Sequence, residues 1–248
     1  MLLKAFREIG KISDPSDVGE RLILLYPIES VKFGSVTTIV HISRYTWVLP
    51  RVQGKFCLDD GCGSGYGTSF LGRNGVHVIG IDRSSKAIGY ARKRYGSSQV
   101  KFEMMNALRL KFEDNTFDAV FSSEVFEHLT YEEQLQYLTE ACRVLKPGGT
   151  FYIGTPNKAA NPYSTHEFNP YHGNVMEIDA FKALLERYFV NVTYFAQAIL
   201  DEQGNRLRSS EALQLLLKDE VIERSRTVYL PNDTDSLWLV AACEKDNA

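Results

Sequence analysis

The sequence lacks any apolar run long enough to cross a membrane or to act as a secretory signal; its opening residues, MLLKAFREIGKISD, are interrupted by charge. A cytoplasmic protein is the expectation. It also lacks a charge imbalance: a net charge of −3 offers no strongly basic face for nucleic acid. Cysteine is scarce. Cys57, Cys62, Cys142 and Cys243 form no Cys-x-x-Cys pair, and three of them lie in apolar runs, so buried free thiols in a reducing compartment are expected. There is no internal repeat and no low-complexity segment. Two phosphate-loop signatures are missing as well. No Gly-Lys-Ser/Thr follows a glycine loop, and a Gly-x-Gly-x-x-Gly count fails, because the third position is Tyr66 counted from Gly61 and Thr68 counted from Gly63.

What is present is an α/β alternation. Hydrophobic residues make up 44% of the 248 and charged residues 24%, enough apolar material for one sizeable core. From about residue 55, apolar runs rich in β-formers recur: KFCLDD (55–60), VHVIGID (76–82), VKFEMM (100–105), FDAVFSS (117–123), GTFYIGT (149–155), VNVTYFAQ (190–197) and SLWLVAAC (236–243). Helical segments separate most of them. Residues 84–96 open on serines and end at a glycine. Residues 130–149 open on Thr130 and Glu133 at capping-box spacing, and Pro147 with its glycines stops them. This order predicts a doubly wound, mostly parallel sheet with an antiparallel edge. Residues 14–50 read as two helices ahead of the first strand, and residues 198–231 as an insertion with a helical run before the last one.

The chemistry starts at LDDGCGSGYGT (58–68), where Gly61, Gly63, Gly65 and Gly67 alternate directly after a buried strand. Glycines there let a backbone approach a ligand at the C-terminal end of a parallel sheet, the place such ligands occupy. Asp82 ends the second strand, where a carboxylate can accept two ribose hydroxyls. Just past the third strand, Asn106 offers an amide oxygen for an exocyclic amine and Ala107 a backbone N–H for a ring nitrogen. Ribose at Asp82 and adenine at Asn106 describe an adenosine.

Residues 54–157 resemble the Rossmann-like class I S-adenosylmethionine-dependent methyltransferases. LDDGCGSGYG is similar to their glycine motif, GIDRS to their second-strand motif, FDAVFSSEVFEHL to their fourth-strand motif, and RVLKPGGTFYIGTPN to the junction into strand five. Asn106 departs from the Asp common at its position. The resemblance implies a seven-stranded sheet with its last strand antiparallel, S-adenosylmethionine (SAM) as cofactor, and one domain of three parts: a helical cover (1–53), a SAM-binding core (54–157) and an acceptor side (158–248). Asp59 and the loop would meet the methionine part. Its carboxylate needs a cation, which Arg44 supplies; His41, Arg44 and Tyr45 share one helix face. The expected cofactor contacts are thus Arg44 and Tyr45; Asp59, Gly61, Cys62, Gly63, Gly65 and Tyr66; Asp82 and Arg83; and Asn106, Ala107 and Ser123.

The acceptor should lie beyond strands four and five. SSEVFEHL supplies Glu124, Glu127 and His128, and the polar, aromatic loop 155–172 supplies His166, Glu167 and His172. His166 or His172 can take a proton from a hydroxyl acceptor, or His166 and Glu167 order the loop; His128 contacts substrate or caps the next helix. His166, Glu167 and His172 do not have metal-motif spacing, so no metal is expected. The HEFNPYH loop is similar to one in methyltransferases of sugar, lipid-precursor and natural-product pathways. A hydroxyl or carboxyl of a small molecule is therefore the expected acceptor. An N- or C-methyltransferase, a SAM-binding protein without catalysis, and a nicotinamide-dependent oxidoreductase are the alternatives.

Overall fold

The computed structural model describes residues 36–201, 203–218, 226–231 and 233–247. The earlier of the two helices expected in 14–50 lies outside these. The later one is α1 (Val36–Val52). It leads into β1 (Phe56–Asp60), α2 (Tyr66–Arg73), β2 (His77–Asp82), α3 (Ser85–Tyr95), β3 (Val100–Met104) and β4 (Phe117–Ser123). Then come α4 (Tyr131–Val144), β5 (Leu145–Pro156), α5 (Ile178–Leu185), β6 (Val190–Leu200), α6 (Ser209–Lys218), β7 (Arg226–Pro231) and β8 (Trp238–Glu244).

The strands form one sheet in the order β3-β2-β1-β4-β5-β8-β6-β7. The first five run parallel, and β8, β6 and β7 pair antiparallel. The sheet has eight strands rather than the expected seven. The extra one is β7, which comes from the expected insertion and adds to the outer edge of β6.

Alternation along the strands divides the core into two layers. Cys57, Val78, Ala119 and Phe121 face α1, α2 and α3, packing on Ile42, Val48, Phe70 and Ile88. Leu58, Ile79, Val120 and Phe151 face α4 and α5, packing on Tyr137, Leu138, Phe181 and Leu185. The expected caps form. Ser84 accepts from Ala87 N–H, and Thr130 and Glu133 complete a reciprocal capping box. The helix from Thr130 ends earlier than its sequence suggests. At Leu145 the chain already pairs with Phe117, and the Lys-Pro-Gly-Gly run bulges out before pairing resumes at Thr150. No helix among the described residues is long and apolar enough to cross a membrane.

Candidate functional site

The sheet order reverses between β1 and β4, and the glycine loop sits at the carboxyl end of β1 beside that switch. Gly61, Gly63 and Gly65 all take positive φ, which bends the loop sharply into α2. The loop is hooked to β2: Gly61 and Cys62 N–H both donate to Ile81 O (2.9 and 2.8 Å). Gly63 N–H donates to Asp82 Oδ2 (3.1 Å), and Ser84 N–H to its Oδ1 (2.8 Å). One carboxylate thereby joins the loop to the start of α3.

At Gly61, Gly65 and Gly67 the space that a Cβ would take is filled by the protein's own side chains. A Cβ on Gly61 would lie 2.1 Å from Val125, on Gly65 2.7 Å from Phe102 and Ala91, and on Gly67 1.9 Å from the Tyr45 ring. The Cys62 thiol also turns inward, against Gly80, so the outer surface of the loop is backbone.

Asp59 and Asp60 are buried behind the loop. Thr68 Oγ1 donates to Asp59 at 2.6 Å, and the Tyr45 hydroxyl lies 3.3 Å from both its carboxylate oxygens. Burial pushes both carboxyls up to about 7, against the opposing pull of the Thr68 and Tyr45 hydroxyls on Asp59. Tyr45 braces Asp59 and packs edge-on to Tyr66 and Phe121.

Arg44 is buried, at 2% exposure. Its Nε donates to Gln197 Oε1 (2.8 Å), and its Nη1 to Ser123 Oγ and Glu124 Oε1 (both 2.8 Å). Its Nη2 is buried with no hydrogen-bond partner among the described residues. Burial, with Arg44 nearby, lowers His41 to about 4 and keeps it neutral. Glu124 holds left-handed backbone (φ 58°) at the end of β4, an unusual conformation for a glutamate that aims its carboxylate at Arg44. Thr68, Glu124 and Gln197 were not among the expected contacts. A lone glutamine inside the apolar run of β6 is the signal that marks Gln197.

At the end of β2, where adenosine is expected, Asp82 pairs with Met104 across the sheet. Met104 is 56% exposed, a large apolar side chain at a ligand-facing strand end, and it too was absent from the expected set. Asn106 is exposed and its Oδ1 accepts from Leu108 N–H (2.9 Å), closing a local turn; Ala107 is half-buried beside it, and Arg83 is exposed.

On the acceptor side, His128 and His172 come together, their ring centroids 4.9 Å apart at 78°. His172 is buried next to buried Glu127. His166 instead lies on the exposed loop, where its Nδ1 bonds His172 O (2.9 Å). That contact ties the His166 ring to the backbone of the same loop. Tyr163, Phe168 and Tyr171 stand exposed around it.

A parallel sheet with this switch point, a glycine loop after β1 and an acid ending β2 defines a Rossmann-like cofactor-binding domain. Comparison with known proteins narrows the class. Residues 58–153 match the family described as "Methyltransferase domain". A "Probable S-adenosylmethionine-dependent methyltransferase" of Mycolicibacterium smegmatis is 33% identical over 59% of this chain, which spans 56% of that relative's length. One of Mycobacterium tuberculosis is 30% identical over 78% of this chain and 67% of its own length. Further relatives include a "Fatty-acid O-methyltransferase" of M. smegmatis (40% identical; 40% of this chain, 36% of the relative). Another is "Phosphoethanolamine N-methyltransferase 2" of Caenorhabditis elegans (32% identical; 78% and 46%). Among solved structures, a SAM-dependent methyltransferase of Thermotoga maritima superposes with a TM-score of 0.64 at 16% identity, covering 85% of this chain and 92% of that one. The chain belongs to the class I S-adenosylmethionine-dependent methyltransferases, and SAM is its cofactor.

Proposed function

We propose that this chain transfers a methyl group from SAM to an oxygen, hydroxyl or carboxyl, of a small-molecule acceptor, and that it does so as a single methyltransferase domain. The observation that carries the cofactor side of this reading is the buried Nη2 of Arg44 at the end of β4, which has no hydrogen-bond partner among the described residues. A buried guanidinium donor without an acceptor is costly, and a carboxylate relieves that cost. Arg44 would hold the carboxylate of the methionine part, and the loop backbone would lie along it. Asp82 would accept from the ribose hydroxyls. Met104 offers an apolar contact to the adenine, with Asn106 and Ala107 at its edge. Asp59 and Tyr45 act one layer back, holding the loop in shape.

Bound SAM supplies a methyl already activated by a sulfonium. The chain must then hold an acceptor atom in line, a proximity effect of up to ~7–11 kcal/mol in favourable systems. Support for oxygen comes from the O-methyltransferase among the relatives and from SSEV standing where an amide-methylating motif would be. The exposed aromatics of the 155–172 loop suit an acceptor with an apolar body. A labelled-methyl transfer screen over phenols, sugars, fatty acids and small amines tests the reading. Label on a hydroxyl or carboxyl is expected; label on amines alone overturns the oxygen assignment.

A further inference from the structure

Glu127, His128 and His172 converge from two separate segments, the turn after β4 and the loop after β5. Their potential ligand atoms lie within 4.8 Å of one another. We propose that these three side chains form a binding site for one first-row divalent cation, with at least one coordination position left open.

The hydrogen bonds already set the required tautomers. His128 Nδ1 lies 3.0 Å from Tyr171 O, and His172 Nδ1 contacts Ser164 O. A carbonyl oxygen only accepts, so each Nδ1 carries the proton and each Nε2 presents a lone pair. Backbone carbonyls on the distal nitrogen are the usual outer support of metal-ligating histidines. Asn169 fits the same assignment: its Oδ1 accepts from Tyr171 N–H (3.1 Å), which turns its Nδ2 toward His172 Nε2 (3.0 Å). That amide would yield its place to a cation.

The third ligand is Glu127, a fully buried carboxylate. One of its oxygens accepts from Thr155 Oγ1 (3.1 Å); the other, Oε1, has no hydrogen-bond partner among the described residues. Arg44, the nearby guanidinium, is ion-paired to Glu124 instead. A buried carboxylate oxygen with nothing to bind is the feature a cation would satisfy. The site is also rigidly built. Gly173 and Asn174 N–H both donate to Glu127 O (2.8 and 3.2 Å), and Gln134 Nε2 ties Phe126 O to Asn174 O (2.9 and 2.8 Å). Two imidazoles and one carboxylate suit zinc, manganese or iron(II). An open position would take the acceptor oxygen and lower its proton affinity. That role rests on the oxygen-acceptor reading, whereas the site itself does not.

The test uses the untagged full chain, stripped with a chelator and titrated with Zn²⁺ and, separately, Mn²⁺ by calorimetry. One saturable equivalent is expected for at least one cation. His128→Gln and Glu127→Gln should each weaken binding by at least the ~10–100-fold that loss of a mere outer-shell partner costs. No saturable binding of either cation overturns the proposal. So does unchanged affinity in His128→Gln, whose partly exposed position keeps it informative should Glu127→Gln fail to fold. SAM titrated into the metal-free chain reads the cofactor assignment separately, so the two proposals fail independently.

Discussion

At the scale of single residues, Arg44 organises the site because three of its five N–H donors are committed to the protein and only those of Nη2 are left. Lysine keeps the charge but cannot reach Gln197, Ser123 and Glu124 while also serving a ligand. Arg44→Lys should weaken SAM binding roughly 10–100-fold, the ~1.5–3 kcal/mol of a hydrogen bond to a charged group. Calorimetry showing unchanged affinity would place the carboxylate elsewhere. The buried acids give a second residue-level test. Asp59 and Asp60 titrate near about 7 in the fold, against ~3.9 for an unfolded aspartate. Between those values the native state holds protons that the unfolded chain has released, so stability from these groups falls as pH rises. His41, lowered to about 4, acts oppositely up to its ordinary value of 6.5. Above that, between pH 6.5 and about 7, only the carboxyls among these three contribute. The cofactor-free protein should lose stability across that window, at up to ~1.4 kcal/mol per pH unit per group. Asp59→Asn should flatten the slope in denaturant titrations at paired pH values; a slope that the substitution leaves unchanged would count against the buried-acid assignment.

At the scale of elements, the glycines separate by what surrounds them. An alanine at Gly67 would press its Cβ to 1.9 Å from the Tyr45 ring and displace the hydroxyl that braces Asp59. Gly67→Ala should cost ~1–3 kcal/mol by overpacking. Gly89, inside α3, has nothing within 4 Å of a built Cβ. Gly89→Ala should instead stabilise by ~0.5–1 kcal/mol through helix propensity. Urea unfolding of the pair checks both signs, and similar effects at the two sites would contradict the packing account. The same contrast shows what the sequence discloses about elements. Strand β4 falls on its predicted residues, and the caps at Ser84 and Thr130 form as spaced, because these signals are local. The alternating glycines mark a tight loop just as clearly. What they make room for is not legible there, since Val125, Phe102 and Tyr45 arrive from elsewhere in the chain. The start of β5 is hidden for another reason. Pro147 and two glycines read as a stop, while pairing with Phe117 has already begun before them.

At the scale of the whole molecule, a mostly parallel sheet with its glycine loop follows from a few motifs, but the candidate site draws on pieces far apart in sequence. Arg44 was found from the need for a cation, whereas its partner Gln197 lies across the molecule on β6. His172 was a candidate base, yet its proximity to His128 and Glu127 depends on the loop after β5 folding back over the turn after β4. Strand β7 carries no strong signal of its own; it is defined by pairing with β6 and by Tyr229 stacking on Trp47 of α1 at 5.0 Å. Helix α1 therefore works as more than a cover. Ile42, Trp47, Val48 and Val52 belong to the core against the sheet, and Tyr45 and Arg44 reach the loop and the β4 end. Deleting residues 1–50 would uncover that face. Each large apolar side chain loses ~1.5–3 kcal/mol of burial, so the sum over Ile42, Trp47 and Val48 is comparable to the ~5–15 kcal/mol a domain has in reserve. The truncated chain should lack a cooperative unfolding transition. Arg44→Lys should keep the transition while its upward shift on adding SAM shrinks, because the shift scales with affinity at fixed ligand concentration. Thermal scans of both, with and without SAM, separate the structural from the binding role of α1. A truncated protein that melts cooperatively and still shifts with SAM would show that neither role belongs to this helix.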